Sequence, residues 1–333
     1  MKALFVTSEM ADFLKAGGLG DVAAHLPRAL YRRGLDVRVL MPAYPALLAQ
    51  SSAMRIVANL PGTAEIPPCQ IGEVRVAGGL TVYAAIAPDL FERAGSPYCR
   101  GDGTDWSDSD LRFGRLSLAA AQIACGAGPD WRPDILHVND WPGGLAPAYM
   151  HWAGAPVPPL LTLHNIAHHG AFPATRRYAL GIPAHAFDIN GVEFHGKIFF
   201  LKAGLYYADH VCTVSPTYAE ALGGGLHGLT RGLAERGQLS GNLNGLDDSW
   251  DPQCDPHLPV PFHADNPARR LRLLKSFARV CASHHPEARC SAACHDWYRR
   301  KVSTSWPRRQ PRLCARAGRS RSLALASRQQ SIC

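Results

Sequence analysis

The sequence contains no uninterrupted apolar run near the roughly 18 residues that a membrane-crossing helix requires, which excludes a helical span. It also lacks a basic-then-apolar leader: MKALFVTSEM starts directly on a strand-like run, so the expectation is a cytoplasmic protein with no membrane partner. Cys69, Cys99, Cys125, Cys212 and Cys254 stand singly along the chain. In a reducing compartment they read as buried or idle thiols rather than disulfides. Cys290, Cys294 and His295, with His284 and His285 nearby, lack the second ligand pair of a zinc site, so no metal is expected. The G-x-G-x-x-G order of dinucleotide-binding turns is missing, and no acidic residue is well placed for a ribose. A nucleotide-dependent dehydrogenase is therefore disfavoured.

Acidic residues are scarce in one place only. From Arg269 to Cys333 there are two Asp or Glu against 16 Lys or Arg. The remaining residues hold 25 acidic and 19 basic side chains, so the net charge of +8 belongs to the tail and the body is mildly acidic. The tail, rich in Arg, Ser, Cys and Pro, loses all strand–helix rhythm after Pro267. The preferred reading is translation of a GC-rich gene in the wrong frame. A basic arm for nucleic acid is the lesser alternative.

What is present is a body of ordinary globular composition. The whole chain has 333 residues and is 47% hydrophobic, enough for one large or two smaller domains. Short apolar runs rich in Val, Ile and Thr predict strands at Ala3–Thr7, Val37–Leu40, Thr81–Ile86, Ile135–Val138, Leu160–Leu163, Val211–Val214 and Leu239–Leu243. Helices are expected between them, at Val22–Tyr31, Arg112–Cys125, Gly144–Trp152, Ile198–Ala208 and Pro216–Leu222. This alternation predicts an α/β domain with a doubly wound, Rossmann-like, mainly parallel sheet. Glu193 and Lys197 stand four apart, the spacing of a helical ion pair.

The stretch Lys15-Ala16-Gly17-Gly18-Leu19-Gly20-Asp21 joins the first strand to the first helix. A strand, a glycine-rich turn and a helix N-terminus together favour an anion, and Lys15 adds a full positive charge. Asp140 and His164 also fall just after predicted strands, so all three could share the carboxyl rim of the sheet, where ligands of such folds bind.

The wording of these segments goes further. "KAGGLGDV" from Lys15, "SPY" at Ser96–Tyr98, "HVNDWPGGLAPAY" from His137, "LTLHNIAHHGAF" from Leu161, "GVEFHGKIFFLKAGLYYADHVCTVSPTYA" from Gly191 and "LSGNLNGLDDSWDP" from Leu239 follow one another in order. This series resembles the bacterial glycogen synthase and plant starch synthase family. The resemblance implies retaining transfer of glucose from ADP-glucose to the non-reducing end of an α-1,4-glucan such as glycogen, with no cofactor beyond the donor substrate. It implies one lobe of a two-lobed glycosyltransferase fold, with Lys15 and the Gly17 and Gly18 backbone near the diphosphate and glucosyl unit. It implies His164 and Asp140 as catalytic residues at the transferred sugar, with Asn165 supporting that pocket and Tyr98 and Trp141 offering faces to the glucan. Asp140 and Trp141 have competing local readings, as a helix N-cap and as core.

No residue of this chain matches the family's second lobe, with its Arg/Lys pair on the diphosphate and its Glu-rich motif. The expected organisation is a catalytic lobe over 1–250, a linker over 251–268 and the basic tail over 269–333, the chain as written having negligible transferase activity. A non-catalytic glucan-binding remnant is the alternative.

Overall fold

The computed structural model describes residues 1–50, 54–222, 228–246, 251–254 and 261–263. Met1–Asn244 form one compact unit, and a second unit begins at Gly245. Residues 247–250, most of the expected linker and the whole of the expected tail lie outside the described residues, as do the cysteines and histidines weighed above as a zinc site. In the second unit, the described residues show Cys254 N–H donating to the Asp251 carbonyl and Phe262 N–H to that of Pro252.

The strands of the first unit are β1 (Lys2–Val6), β2 (Asp36–Pro42), β3 (Arg55–Leu60), β4 (Cys69–Arg75), β5 (Thr81–Ile86), β6 (Ile135–Asn139), β7 (Pro159–Leu163), β8 (Ala171–Pro173), β9 (Glu193–Phe194), β10 (Lys197–Phe199), β11 (His210–Thr213) and β12 (Leu239–Gly241). Its helices are α1 (Gly18–Arg32), α2 (Pro45–Gln50), α3 (Pro88–Phe91), α4 (Ser109–Ala124), α5 (Ala146–Trp152), α6 (Phe200–Tyr207), α7 (Pro216–Leu222) and α8 (Leu229–Glu235).

Nine strands form one sheet in the order β12-β11-β7-β6-β1-β2-β5-β4-β3. The seven from β12 to β5 run parallel, and β4 and β3 add an antiparallel edge. The parallel strands are apolar on both faces: Leu4, Val6, Val39, Leu40, Val82, Leu136, Val138 and Leu161 are fully buried, as a sheet covered twice demands. Each such side chain contributes about 1.5–3 kcal/mol relative to exposure.

The chain winds outward from β1 in both directions. From β1 through α1 to β2 it moves one way, and from β6 through α5 to β7 and through α6 to β11 it moves the other. Right-handed crossovers therefore put α1 on one face and α5 and α6 on the other. The return from β5 to β6 runs through α4, which packs against α5. The doubly wound α/β fold read from the sequence is the fold observed.

Nearly all of α4 is buried, including two arginines. Arg112 donates from Nε to the Leu90 carbonyl at 2.7 Å and from Nη1 to that of Pro97 at 2.7 Å. Arg115 donates to the carbonyls of Pro61 and Pro67. Carbonyl dipoles thus satisfy the guanidinium of Arg112, and the cost of burying it is turned to fixing the segment that carries Tyr98.

Two expectations are corrected. Ile198 and Phe199, expected to open a helix, belong instead to Lys197–Phe199, the middle strand of a small sheet ordered β8-β10-β9, and α6 starts only at Phe200. Glu193 and Lys197 accordingly lie on the two strands of a hairpin, paired with Ile198 and Phe194 respectively, rather than along a helix. His195 turns that hairpin with φ 50°, and Glu193 Oε1 accepts the Gly196 N–H at 2.7 Å.

Candidate active site

The winding order of the chain reverses between β1 and β6, which are parallel, hydrogen-bonded neighbours. At such a switch point the loops leaving the two strand ends diverge and open a crevice, where doubly wound folds bind ligands. The loop after β1 carries Glu9, Lys15, Gly17 and Gly18, while the loop after β6 carries Asp140 and Trp141. His164 and Asn165 follow the neighbouring β7.

The β1 loop is organised by Glu9, which is 3% exposed. Its Oε2 accepts the N–H groups of Ala16 at 2.6 Å and Gly17 at 2.8 Å, and its Oε1 accepts the Tyr98 hydroxyl at 3.0 Å. A carboxylate at a helix N-terminus interacts favourably with the helix dipole. The Gly17 N–H is therefore turned toward protein. The next N–H groups, of Gly18 and Leu19, have no intrahelical acceptor, and no side chain caps the helix. Lys15 Nζ pairs with Asp21 Oδ1 at 2.8 Å, both side chains being well exposed (51% and 36%).

The glycines of this loop differ in why they are glycine. A Cβ at Gly20 would lie 3.1 Å from both Glu9 Oε2 and Lys15 Cγ, so those side chains would have to give way to admit it. A Cβ at Gly18 would meet nothing within 4 Å, and one at Gly17 only Glu9 Oε1 at 3.9 Å. Gly17 has φ −149°, which any residue adopts. Neither position needs glycine for the fold, and the space beside them is open.

Asp140 has φ 52° and ψ −170°, a backbone conformation that costs an L residue on the order of 1–3 kcal/mol. It is held there by its own bonds. Its N–H donates to the Thr162 carbonyl at 2.9 Å, and its Oδ1 accepts the main-chain N–H of His164 at 2.7 Å and of Asn165 at 3.4 Å. It thus caps the loop after β7 rather than its own helical turn, which has no side-chain cap. Burial, reinforced by the nearby Glu9 charge, pushes its carboxyl up to about 7 against the N–H bonds that oppose the shift.

His164 Nε2 lies 3.0 Å from Asn139 Oδ1, and burial pushes the ring down to about 4, so it is neutral at pH 7. Asn139, 1% exposed, was not singled out in the sequence; a polar residue closing an apolar strand just before Asp140 was the available signal. Glu9 follows the first strand-like run, but nothing in its type or spacing revealed that it braces the loop. His137, one strand pair deeper, is held by Thr162 Oγ1 at 2.7 Å, and burial pushes it down to about 3.

Tyr98 is anchored through its hydroxyl to Ser8 Oγ at 2.8 Å as well as to Glu9, and burial raises its phenol well above the ordinary range. Its ring lies 6.1 Å from that of Trp141. Trp141 packs edge-on against Phe113 at 4.7 Å and touches Phe172 and Phe200, so much of its ring serves the core. Asn165 is exposed and spends its side chain on the Ala167 N–H at 2.9 Å, while Tyr218 OH accepts the Ile166 N–H at 3.1 Å. Bonds and ring contacts thus link Gly17, Glu9, Tyr98 and Trp141, while Asp140 joins the β6 end to His164. Lys15 sits on the same rim but is turned to Asp21. Among the described residues, no group of His, Cys, Asp and Glu is arranged to hold a metal, and no helix is long and apolar enough to cross a membrane.

Residues 2–232 match the starch synthase catalytic domain family. A glycogen synthase of Pseudomonas paraeruginosa is 50% identical over 269 residues, which cover 79% of this chain and 52% of that protein. One from Pseudomonas savastanoi pv. phaseolicola is 47% identical over 284 residues, or 84% of this chain and 58% of that protein. Among solved structures, the catalytic domain of starch synthase IV from Arabidopsis thaliana, bound to ADP and acarbose, superposes with a TM-score of 0.65 at 26% identity. That superposition covers 84% of this chain and 58% of the other. The chain thus spans about half the length of the curated relatives it matches.

Proposed function

The chain belongs to the starch synthase catalytic domain family, and from that premise we propose that its first unit is the part of a glycogen synthase that receives the glucosyl and diphosphate groups of ADP-glucose. The reaction is transfer of that glucose to the non-reducing end of an α-1,4-glucan with retention at the anomeric carbon. The observation that carries this reading is the open space at Gly17 and Gly18, two glycines the fold does not need, beside an uncapped helix N-terminus at the switch point.

Departure of the nucleotide adds a negative charge to a diphosphate that already carries two, and preorganised positive charge at that position lowers the barrier. Lys15 and the Gly18 and Leu19 amides supply it. Lys15 exchanges its exposed partner Asp21 for the ligand. His164, neutral at pH 7, lines the glucosyl side without adding charge that would oppose a developing oxocarbenium ion.

Neither buried carboxylate of the rim is free to attack the anomeric carbon. Glu9 accepts three hydrogen bonds, and Asp140 is committed to the main chain after β7. That fits the front-face route to retention that the family resemblance implies, in which the departing phosphate takes the proton of the incoming glucan hydroxyl. ADP as a ligand of the starch synthase IV domain supports the adenine nucleotide, and such a substrate suits the cytoplasmic placement expected from the sequence.

The test joins residues 1–244 to the remaining half of the Pseudomonas paraeruginosa glycogen synthase. Glucose from labelled ADP-glucose is expected to enter glycogen and to stop doing so with His164→Ala. The 333-residue chain alone is expected to transfer at background, because it offers no match to the family's Arg/Lys pair, each such donor being worth about 10²–10³-fold in rate. A folded chimera that binds ADP yet transfers nothing refutes the reading.

A further inference from the structure

Asn139 ends β6 with its side chain fully enclosed. An amide has two chemically different ends, and here each has one partner. The Nδ2 end lies 3.0 Å from the Val6 carbonyl oxygen, which can only accept. That contact fixes the amide with Nδ2 toward β1 and Oδ1 toward β7. Oδ1 can only accept, and it lies 3.0 Å from His164 Nε2. The proton of the neutral imidazole must then sit on Nε2. Nδ1 is left with a lone pair and has no hydrogen-bond partner among the described residues. The next residue, Asp140, holds the main chain of the same histidine. Two consecutive residues at the end of β6 thus fix the ring and the backbone of one residue at the end of β7.

We propose that Asn139 is a positioning residue: anchored by the Val6 carbonyl, it holds His164 as the Nε2–H tautomer and so makes Nδ1 the acceptor that the crevice offers to a substrate hydroxyl. The identity of that hydroxyl rests on the glucosyl-transfer reading above. The tautomer does not, and it can be measured with no substrate present. An imidazole free in water slightly favours one tautomer but interconverts. A buried bond to a fixed oxygen, worth about 0.5–1.5 kcal/mol, biases it by up to tenfold or so.

The full chain, labelled with ¹⁵N-histidine and with His164 assigned from a His164→Gln spectrum, reports the tautomer through its long-range ¹H–¹⁵N correlations at pH 7. The expected result is a protonated-type Nε2 and a bare Nδ1. Asn139→Leu, which keeps the volume and removes the acceptor, is expected to lower the Nε2–H to Nδ1–H ratio by about tenfold. Asn139→Ala repeats the test with no added bulk should the leucine disturb folding. A protonated Nδ1 in the wild-type chain, or an unchanged ratio in a folded variant, overturns the proposal. Failure of the chimera to transfer glucose, with the tautomer as expected, would remove the proposed function and leave the role of Asn139 standing.

Discussion

Replacing Asp140 by Asn should stabilise the protein, and by an amount that grows with pH. The carboxyl of Asp140 has a pKa of about 7 when folded against 3.8 for an ordinary aspartate, chiefly because it is buried. The folded state therefore holds its proton more tightly between those values, and stability is lost as pH rises from about 4 to about 7. With 1.36 kcal/mol per pH unit, the penalty reaches about 4 kcal/mol at pH 8 and about 1.5 kcal/mol at pH 5. Asparagine keeps the oxygen that accepts the His164 and Asn165 N–H groups and carries no charge. The gain from Asp140→Asn should therefore increase by about 2.5 kcal/mol between pH 5 and pH 8.

The two buried histidines act the other way. His164 and His137 have folded pKa values pushed below 6.5, so the stability they contribute is lost as pH falls. They are common to both proteins and cancel in the difference. Urea titrations of the full chain, followed by tryptophan fluorescence at the two pH values, give that difference directly. A gain that is the same at pH 5 and pH 8, or a loss at pH 8, would refute the assignment of a buried, charge-disfavouring site to Asp140.

Two further outcomes follow from the loop after β1. Glu9→Gln removes a charge-assisted acceptor from the Ala16 and Gly17 N–H groups, and should cost about 1–3 kcal/mol while raising exchange of those two amides at least tenfold by hydrogen–deuterium exchange; unchanged protection would mean the loop holds itself. Lys15→Met breaks only an exposed pair with Asp21, so stability should move by less than about 1 kcal/mol, while ADP affinity measured by calorimetry should fall at least tenfold; equal affinity would separate Lys15 from the nucleotide.

The parallel part of the fold was legible because its strands advertise themselves. Thr81–Ile86 and Leu160–Leu163 are continuous apolar runs, as strands buried on both faces must be. The antiparallel edge was not legible for the converse reason. Arg55–Leu60 is neither continuously buried nor strictly alternating, its first two residues being exposed and the next two half-buried, and a six-residue run of that kind carries no distinctive period. Ile198 was assigned to the helix that follows it because Phe199, Phe200 and Leu201 continue its apolar run without a break. Only the pairing of Lys197–Phe199 with Ala171–Pro173 separates the two. Motif order brought Lys15, Asp140 and His164 to the rim, but the residues that fix them could not be ranked. Val6 acts through one carbonyl oxygen, Asn139 through one amide and Glu9 through one carboxylate, and sequence spacing does not encode which way such a group points.

The glycines show how the two kinds of information divide. Gly144 and Gly170 are dictated by the fold: a Cβ at the first would fall 2.2 Å from the Phe200 carbonyl oxygen, and at the second 2.2 Å from the Trp141 ring, with φ +60° besides. Both lie in the matched motifs and both would be kept by packing alone, so their presence says nothing about chemistry. Gly17 and Gly18 lie in a matched motif too, yet nothing in the protein presses on them. Gly17 is the N-cap of α1 and Gly18 its first residue, positions where glycine is tolerated but not demanded. Two glycines unneeded by their neighbours leave room for something absent from the polypeptide. At the positive end of a helix, beside a lysine whose partner is exposed, the anion of the proposed function fits that room.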